Sequence, residues 1–210
     1  VPSTRLVIGA AVSSLLLAGC NGDTSAEETD TAGGNGQDTQ EEREGRDELD
    51  FSVSETFAPY SEDAEAITYD EQAVPPRATV EVSITGDEGG SVYSLAVTGL
   101  ETDREFGSHL HTQPCGEDPG DSGPHYQDEV DPEADSDNPS TNPEYANPEN
   151  EVWLDFTTDE NGEAEQETRV DWTPREDEAN SIVIHDEHTS EQEGTAGAAG
   201  DRLACVNVDL

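Results

Sequence analysis

His109 and His111, in the stretch Gly107-Ser-His-Leu-His-Thr-Gln-Pro-Cys115, are the residues whose type and spacing point most directly to chemistry. An extended strand turns alternate side chains to one face, so both imidazoles look the same way while Leu110 looks into a core. Two imidazoles so placed are half of a metal site, and neutral imidazole suits copper or zinc. The chain holds 5 histidines, so further ligands would come from His125, His185 or His188 elsewhere in the fold. A bare His-x-His in a strand is also ordinary surface decoration, and by itself the pattern leaves both readings open.

The elements that must position these side chains are strands. Val80, Val82 and Ile84 alternate with polar residues, Gly86 to Gly90 makes a turn, and Val92 to Leu100 continues as a second strand. Further strands are expected over Glu105 to His111, Val152 to Thr157, Glu165 to Trp172, Ser181 to His185 and Leu203 to Val208. Short strands with turn signals such as Asn161-Gly162, and almost no helical periodicity, predict an all-β, antiparallel sandwich over residues 73–210. One interval breaks the pattern. Gly116 to Asn150 is rich in Pro, Asp, Asn and Gly, and a loop this long in a compact domain is usually functional; it holds His125.

Upstream lie two other textures. Arg5, the apolar run Leu6 to Leu17 and Ala18-Gly19-Cys20 read as a secretory signal over residues 1–19, too short for a permanent membrane span. Leu-Ala-Gly-Cys resembles a bacterial lipobox, which implies lipidation of Cys20 and an extracytoplasmic lipoprotein anchored to the cell membrane. The other reading is an ordinary signal peptide with an incidental Cys. Residues 20–72 are poor in large apolar groups and are expected to be an acidic disordered tether, with Phe51, Val53, Phe57 and Tyr60 docking locally.

The formal net charge is −43, and all 8 basic residues are Arg. Such a chain repels nucleic acid and anionic lipid, which removes both as electrostatic partners. Acid spread along the whole chain is expected of adaptation to high salt, where self-repulsion is screened. A calcium-buffering surface is the competing reading, but no full Asp-x-Asp-x-Asp-Gly loop is found. Of 3 cysteines, Cys20 is spent on lipid in the lipobox reading, so Cys115 and Cys205 remain. In an oxidising compartment they most simply pair; the other reading is two free thiols.

The motifs together resemble the copper/zinc superoxide dismutases. Gly107-Ser-His-Leu-His is similar to that family's Gly-Phe-His-Val-His, and Gly123-Pro-His-Tyr to its Gly-Pro-His-Phe. Ser181-Ile-Val-Ile-His is similar to Leu-Val-Val-His, and Gly197-Ala-Ala-Gly-Asp-Arg-Leu-Ala-Cys205 to Gly-Asn-Ala-Gly-Ser-Arg-Leu-Ala-Cys. The order is also the family's, over about Arg77 to Val208. The resemblance implies an immunoglobulin-like Greek-key sandwich or barrel with a long metal-site loop. It implies His109, His111, His125 and His185 as copper ligands, Arg202 as the group that draws in the superoxide anion, and a Cys115–Cys205 disulfide. The implied activity is dismutation of superoxide to dioxygen and hydrogen peroxide. An extracytoplasmic copper-binding or buffering protein without turnover is the alternative on the same histidines. Oligomeric state is not legible.

The departure from that family is in zinc. Its bridging histidine is followed by two more histidines and an aspartate, whereas no histidine lies between Tyr126 and Glu151 here. Asp128, Asp131, Asp135, Asp137, Glu144 and Glu149 could offer oxygens, but they resemble solvated acid more than a tetrahedral cage. A copper-only site is therefore expected, with zinc doubtful. His125 would then need a carboxylate or carbonyl to orient it, and Asp128 is a candidate by proximity. His188 has no counterpart in the family motif; it is expected to be exposed, the other reading being a hydrogen-bond partner behind the ligands.

Overall fold

The structure, a computed structural model, describes residues 49–135 and 138–210. Its strands are β1 (Leu49–Thr56), β2 (Ala66–Thr68), β3 (Thr79–Asp87), β4 (Gly90–Thr98), β5 (Glu105–His111), β6 (Phe156–Thr157), β7 (Ala164–Val170), β8 (Ser181–His185) and β9 (Arg202–Asn207). They form two antiparallel sheets, one ordered β1-β3-β4-β7 and the other β2-β9-β8-β5-β6. The chain crosses from one sheet to the other between β1 and β2, β2 and β3, β4 and β5, β6 and β7, and β7 and β8, as in a Greek-key sandwich.

Period-2 alternation builds the first sheet. Val80, Val82 and Ile84 of β3 face inward, and Tyr93, Leu95 and Val97 of β4 lie opposite them in register. From the second sheet Leu110, Ile182, Ile184 and Val206 close the core, all at 0% exposure. β8 is buried along its whole length, so its second face is covered as well.

The disordered tether expected over residues 20–72 does not reach that far: Leu49 to Thr56 pairs antiparallel with Thr79 to Gly86, and Phe57 is a core residue at 1% exposure. Leu49, Phe51 and Val53 pack against the same core, while Tyr60 stays exposed. The strand expected over Val152 to Thr157 reduces to Phe156 and Thr157, with Trp153 in an isolated bridge to His109. Cys20, and with it the signal and the first part of the tether, lies outside the described residues. Among the described residues no helix is long and apolar enough to cross a membrane.

Cys115 and Cys205 are joined, S–S 2.06 Å and Cα–Cα 5.7 Å, across 90 residues. The bond ties the start of the long loop to β9. Loop segments then line the free edge of β5: Tyr126 N donates to Leu110 O (2.8 Å), Thr112 N to Pro124 O (3.0 Å) and Leu154 N to Ser108 O (2.7 Å).

Candidate metal centre

Strand register places three of the four imidazoles. In β5 and β8, Gly107 lies opposite His185, His109 opposite Val183 and His111 opposite Ser181. Directly opposed residues share a face, so His109, His111 and His185 all project from the side of the sheet away from the core, while Leu110 and Ile182 project into it. Gly107 is needed beside His185: a Cβ there would sit 2.5 Å from Glu187 O and 2.8 Å from Ala199 Cβ. Arg104, held between Glu101 and Asp186, ties down the turn that follows His185.

A slip in register brings in the arginine. Ile184 is opposite Ala204, but His185 is opposite Arg202, so the ladder between β8 and β9 carries a bulge at Leu203. Without it Leu203 would take the place across from His185 and the arginine would turn to the other face, because each one-residue shift reverses sides. Arg202 then reaches back to the loop. Its Nη1 donates to Pro119 O and Ser122 Oγ (both 3.0 Å), and its Nη2 to Gly123 O (2.7 Å).

His125 comes from the loop, bridged to His111 through the backbone. One ring nitrogen from each of the four histidines lies within 4.8 Å of the others, and His111 Nε2 and His185 Nε2 are 3.2 Å apart. Burial holds His109, His111 and His185 well below the ordinary imidazole pKa, helped by the neighbouring imidazoles and by Arg202. Buried neutral imidazoles are the form that binds a metal.

The outer partners say which nitrogens carry protons. His111 Nδ1 lies 2.9 Å from Gly123 O, which can only accept, so Nδ1 is the N–H and Nε2 keeps its lone pair. His125 Nδ1 lies 2.9 Å from Glu151 Oε2, so again Nε2 is left with the lone pair. His109 Nε2 meets Thr189 Oγ1 at 2.6 Å and its Nδ1 is buried without a partner, while His185, whose Nε2 faces His111, turns its other nitrogen towards the Gly200 backbone. A buried His109 Nδ1 without a partner, beside the Nε2 lone pairs of His111 and His125, is a set of donors that suits a metal ion, so the residues fit a four-imidazole metal centre.

Glu151 is what the sequence did not disclose. It is 2% exposed, and its two oxygens take His125 Nδ1, Trp153 Nε1 (2.8 Å) and Gln127 Nε2 (2.8 Å). Asp128, expected to orient His125, is instead an ion-pair partner of Arg175 at 4.0 Å, and Glu151 takes the place beside His125. Nothing in the local pattern distinguishes Glu151 from the other 50 of the 51 acidic residues. His188 is exposed as expected, with its Nε2 3.0 Å from Phe156 O.

Among the described residues the four histidines are the group of three or more candidate ligands that converges. Asp128, Asp131, Asp135, Glu144 and Glu149 join no such group, and Asp131 is engaged by Ser140 Oγ at 2.6 Å; Asp137 lies outside the described residues. A cavity of about 300 Å3 opens beside the cluster, lined by His125, Arg202, Thr112, Pro124 and Val130 among others.

No family model matches the chain, and no curated protein matches it. Solved structures do. A Cu/Zn superoxide dismutase from Brucella abortus is 15% identical, with TM-score 0.44, covering 76% of this chain and 100% of that one. A double mutant of a SOD-like protein from Bacillus subtilis is 14% identical, with TM-score 0.41, covering 62% and 88%. A single mutant of that SOD-like protein is 13% identical, with TM-score 0.44, covering 70% and 99%. At these identities and TM-scores the likeness assigns neither a family nor an activity to this chain.

Proposed function

We propose that the four histidines hold one copper ion and that the protein dismutates superoxide outside the cytoplasm. The observation that carries this reading is the convergence of the imidazole nitrogens, with the outer nitrogens of His109, His111 and His125 engaged by oxygen partners. Four imidazoles suit Cu(II) by donor type and number. When bound, copper supplies the one-electron redox couple that dismutation to dioxygen and hydrogen peroxide requires, which zinc does not.

The protein's own residues have separable parts in this. Burial keeps three imidazoles neutral and lone-paired towards the cluster. His125 is the least enclosed, its side chain 16% exposed, and it presents Nε2 to the cluster while Glu151 holds its Nδ1 proton. With Glu151 in that place, His125 serves a single metal, and a copper-only centre follows. Arg202 is a fixed cation beside His125 in the cavity, which Arg175 also lines, and there it attracts a small anion. The overall charge of −43 opposes that attraction at low salt, where fields reach ~30 Å, and much less in brine, where they reach ~3 Å. In this reading Cys20 carries the lipid that keeps the protein on the membrane.

One observation favours a copper carrier on the same histidines: Arg202 donates to Pro119, Ser122 and Gly123, which gives it a structural task as well. The deciding experiment is metal analysis by mass spectrometry on copper-reconstituted protein, paired with a superoxide assay over a salt series. Dismutation predicts one copper per chain and a rate per copper that rises with salt while circular dichroism shows the fold intact. Arg202→Ala should lower that rate at every salt with copper still bound. Stoichiometric copper without turnover would establish the carrier instead.

A further inference from the structure

Behind His109 lies a polar chain that neither the copper ligands nor the arginine accounts for. Asp155 Oδ1 accepts from the hydroxyl of Thr189 (2.7 Å) and from the backbone N–H of Ser108 (3.1 Å), and its Oδ2 from the backbone N–H of Thr189 (2.7 Å). Thr189 Oγ1 is in turn 2.6 Å from His109 Nε2, while Asp155 itself stands 3.7 Å from that nitrogen. A carboxylate only accepts, so the hydroxyl proton of Thr189 belongs to Asp155 and its oxygen faces His109 as an acceptor. The imidazole proton must then sit on Nε2. Its Nδ1, buried and without a partner, is left as a lone pair turned into the cluster.

We propose that Asp155, acting through the hydroxyl of Thr189, is the positioning residue that fixes the ring and the tautomer of His109. The inference rests on the copper-site reading for its purpose but not for its geometry. The same carboxylate grips the backbone on either side of that site, at Ser108 beside His109 and at Thr189 after β8, so the ring is tied to β5 and to the segment that follows β8 at once. His111 and His125 have their outer nitrogens set by Gly123 O and Glu151 directly, without an intervening hydroxyl. Outer partners of this kind typically change metal affinity about 10- to 100-fold when removed.

The test begins on metal-free protein at high salt, with 15N-labelled histidine and two-bond 15N–1H correlation spectra that distinguish the two neutral tautomers. Wild-type His109 should carry its proton on Nε2 alone. Thr189→Val, which keeps the shape and removes the hydroxyl, should mix the two tautomers and weaken Cu(II) binding about 10- to 100-fold in a chelator competition. Thr189→Ser should restore both readouts, as a merely structural role for the side chain would not require. A wild-type His109 protonated on Nδ1, or a Thr189→Val protein that keeps the unmixed Nε2–H form, would overturn the proposal. Because the tautomer is read without metal, a chain that takes up no copper yet loses the Nε2–H form in Thr189→Val refutes the copper site and upholds the role of Asp155.

Discussion

The cluster is assembled from two kinds of support. His109, His111 and His185 stand on adjacent strands, where ladder register fixes their directions and burial is nearly complete. His125 stands on the long loop, largely but less completely enclosed, and takes its direction from a side-chain network of Glu151, Gln127 and Trp153. Strand ligands inherit their precision from backbone hydrogen bonds that the fold makes anyway. A loop ligand needs added ties: here a disulfide at the loop's start, Arg202 on the Pro119 to Gly123 carbonyls, and a buried carboxylate behind the ring. The strand side should therefore fail with the fold, and the loop side before it.

The largest effect should come from the loop's covalent tie. Cys115→Ser should lower unfolding free energy by roughly 4 to 5 kcal/mol on the chain-entropy relation, measured by denaturant titration at fixed salt. Hydrogen exchange should quicken further over residues 116–126 than in β5 and β8, whose protected amides follow only the global loss, if the two supports are separate. Uniformly faster exchange would erase the distinction.

Acid tests the strand side. The three buried imidazoles have pKa values depressed by burial from the ordinary 6.5, so below that value the unfolded chain binds protons that the folded chain refuses. Stability of the metal-free protein should be complete above pH 6.5 and fall as pH drops through and below it. Each imidazole contributes at most about 1.4 kcal/mol per pH unit. His111→Gln should remove one imidazole's share of the slope, and an unaltered slope in that variant would place the proton uptake elsewhere.

A smaller change on the strand side is Gly107→Ala. The added methyl meets Glu187 O and Ala199 Cβ at contacts that force a shift, so a loss of about 1–3 kcal/mol in thermal or denaturant unfolding is expected. Copper affinity should fall with it, since His185 lies directly opposite. Glu151→Gln is the matched change on the loop side, and the mildest. One carboxylate oxygen becomes an amide nitrogen that cannot accept, so either Gln127 or both His125 and Trp153 lose their acceptor, and the remaining oxygen no longer carries a charge. Copper binding should weaken about tenfold, the low end for an outer partner, with little change in the unfolding midpoint. If Glu151→Gln costs as much stability as Gly107→Ala, the network supports the fold and not the ligand.

Much of this was legible in the chain because strand logic is local. The alternation of Val80, Val82 and Ile84 specifies a half-buried strand wherever it folds, and His109 and His111 share a face because the period of a strand is two. The same alternation in Leu49, Phe51 and Val53 was present too, but polar neighbours hid it, and only pairing with β3 made that segment a strand. What no local pattern could decide is which distant groups meet. The bulge at Leu203 turns Arg202 to the metal face, Glu151 out of 51 acidic residues finds His125, and Asp155 reaches His109 through Thr189. A side chain's direction along a strand follows from its neighbours in sequence, whereas a hydrogen bond closing 26 or 80 residues exists only once both sheets and the loop have packed.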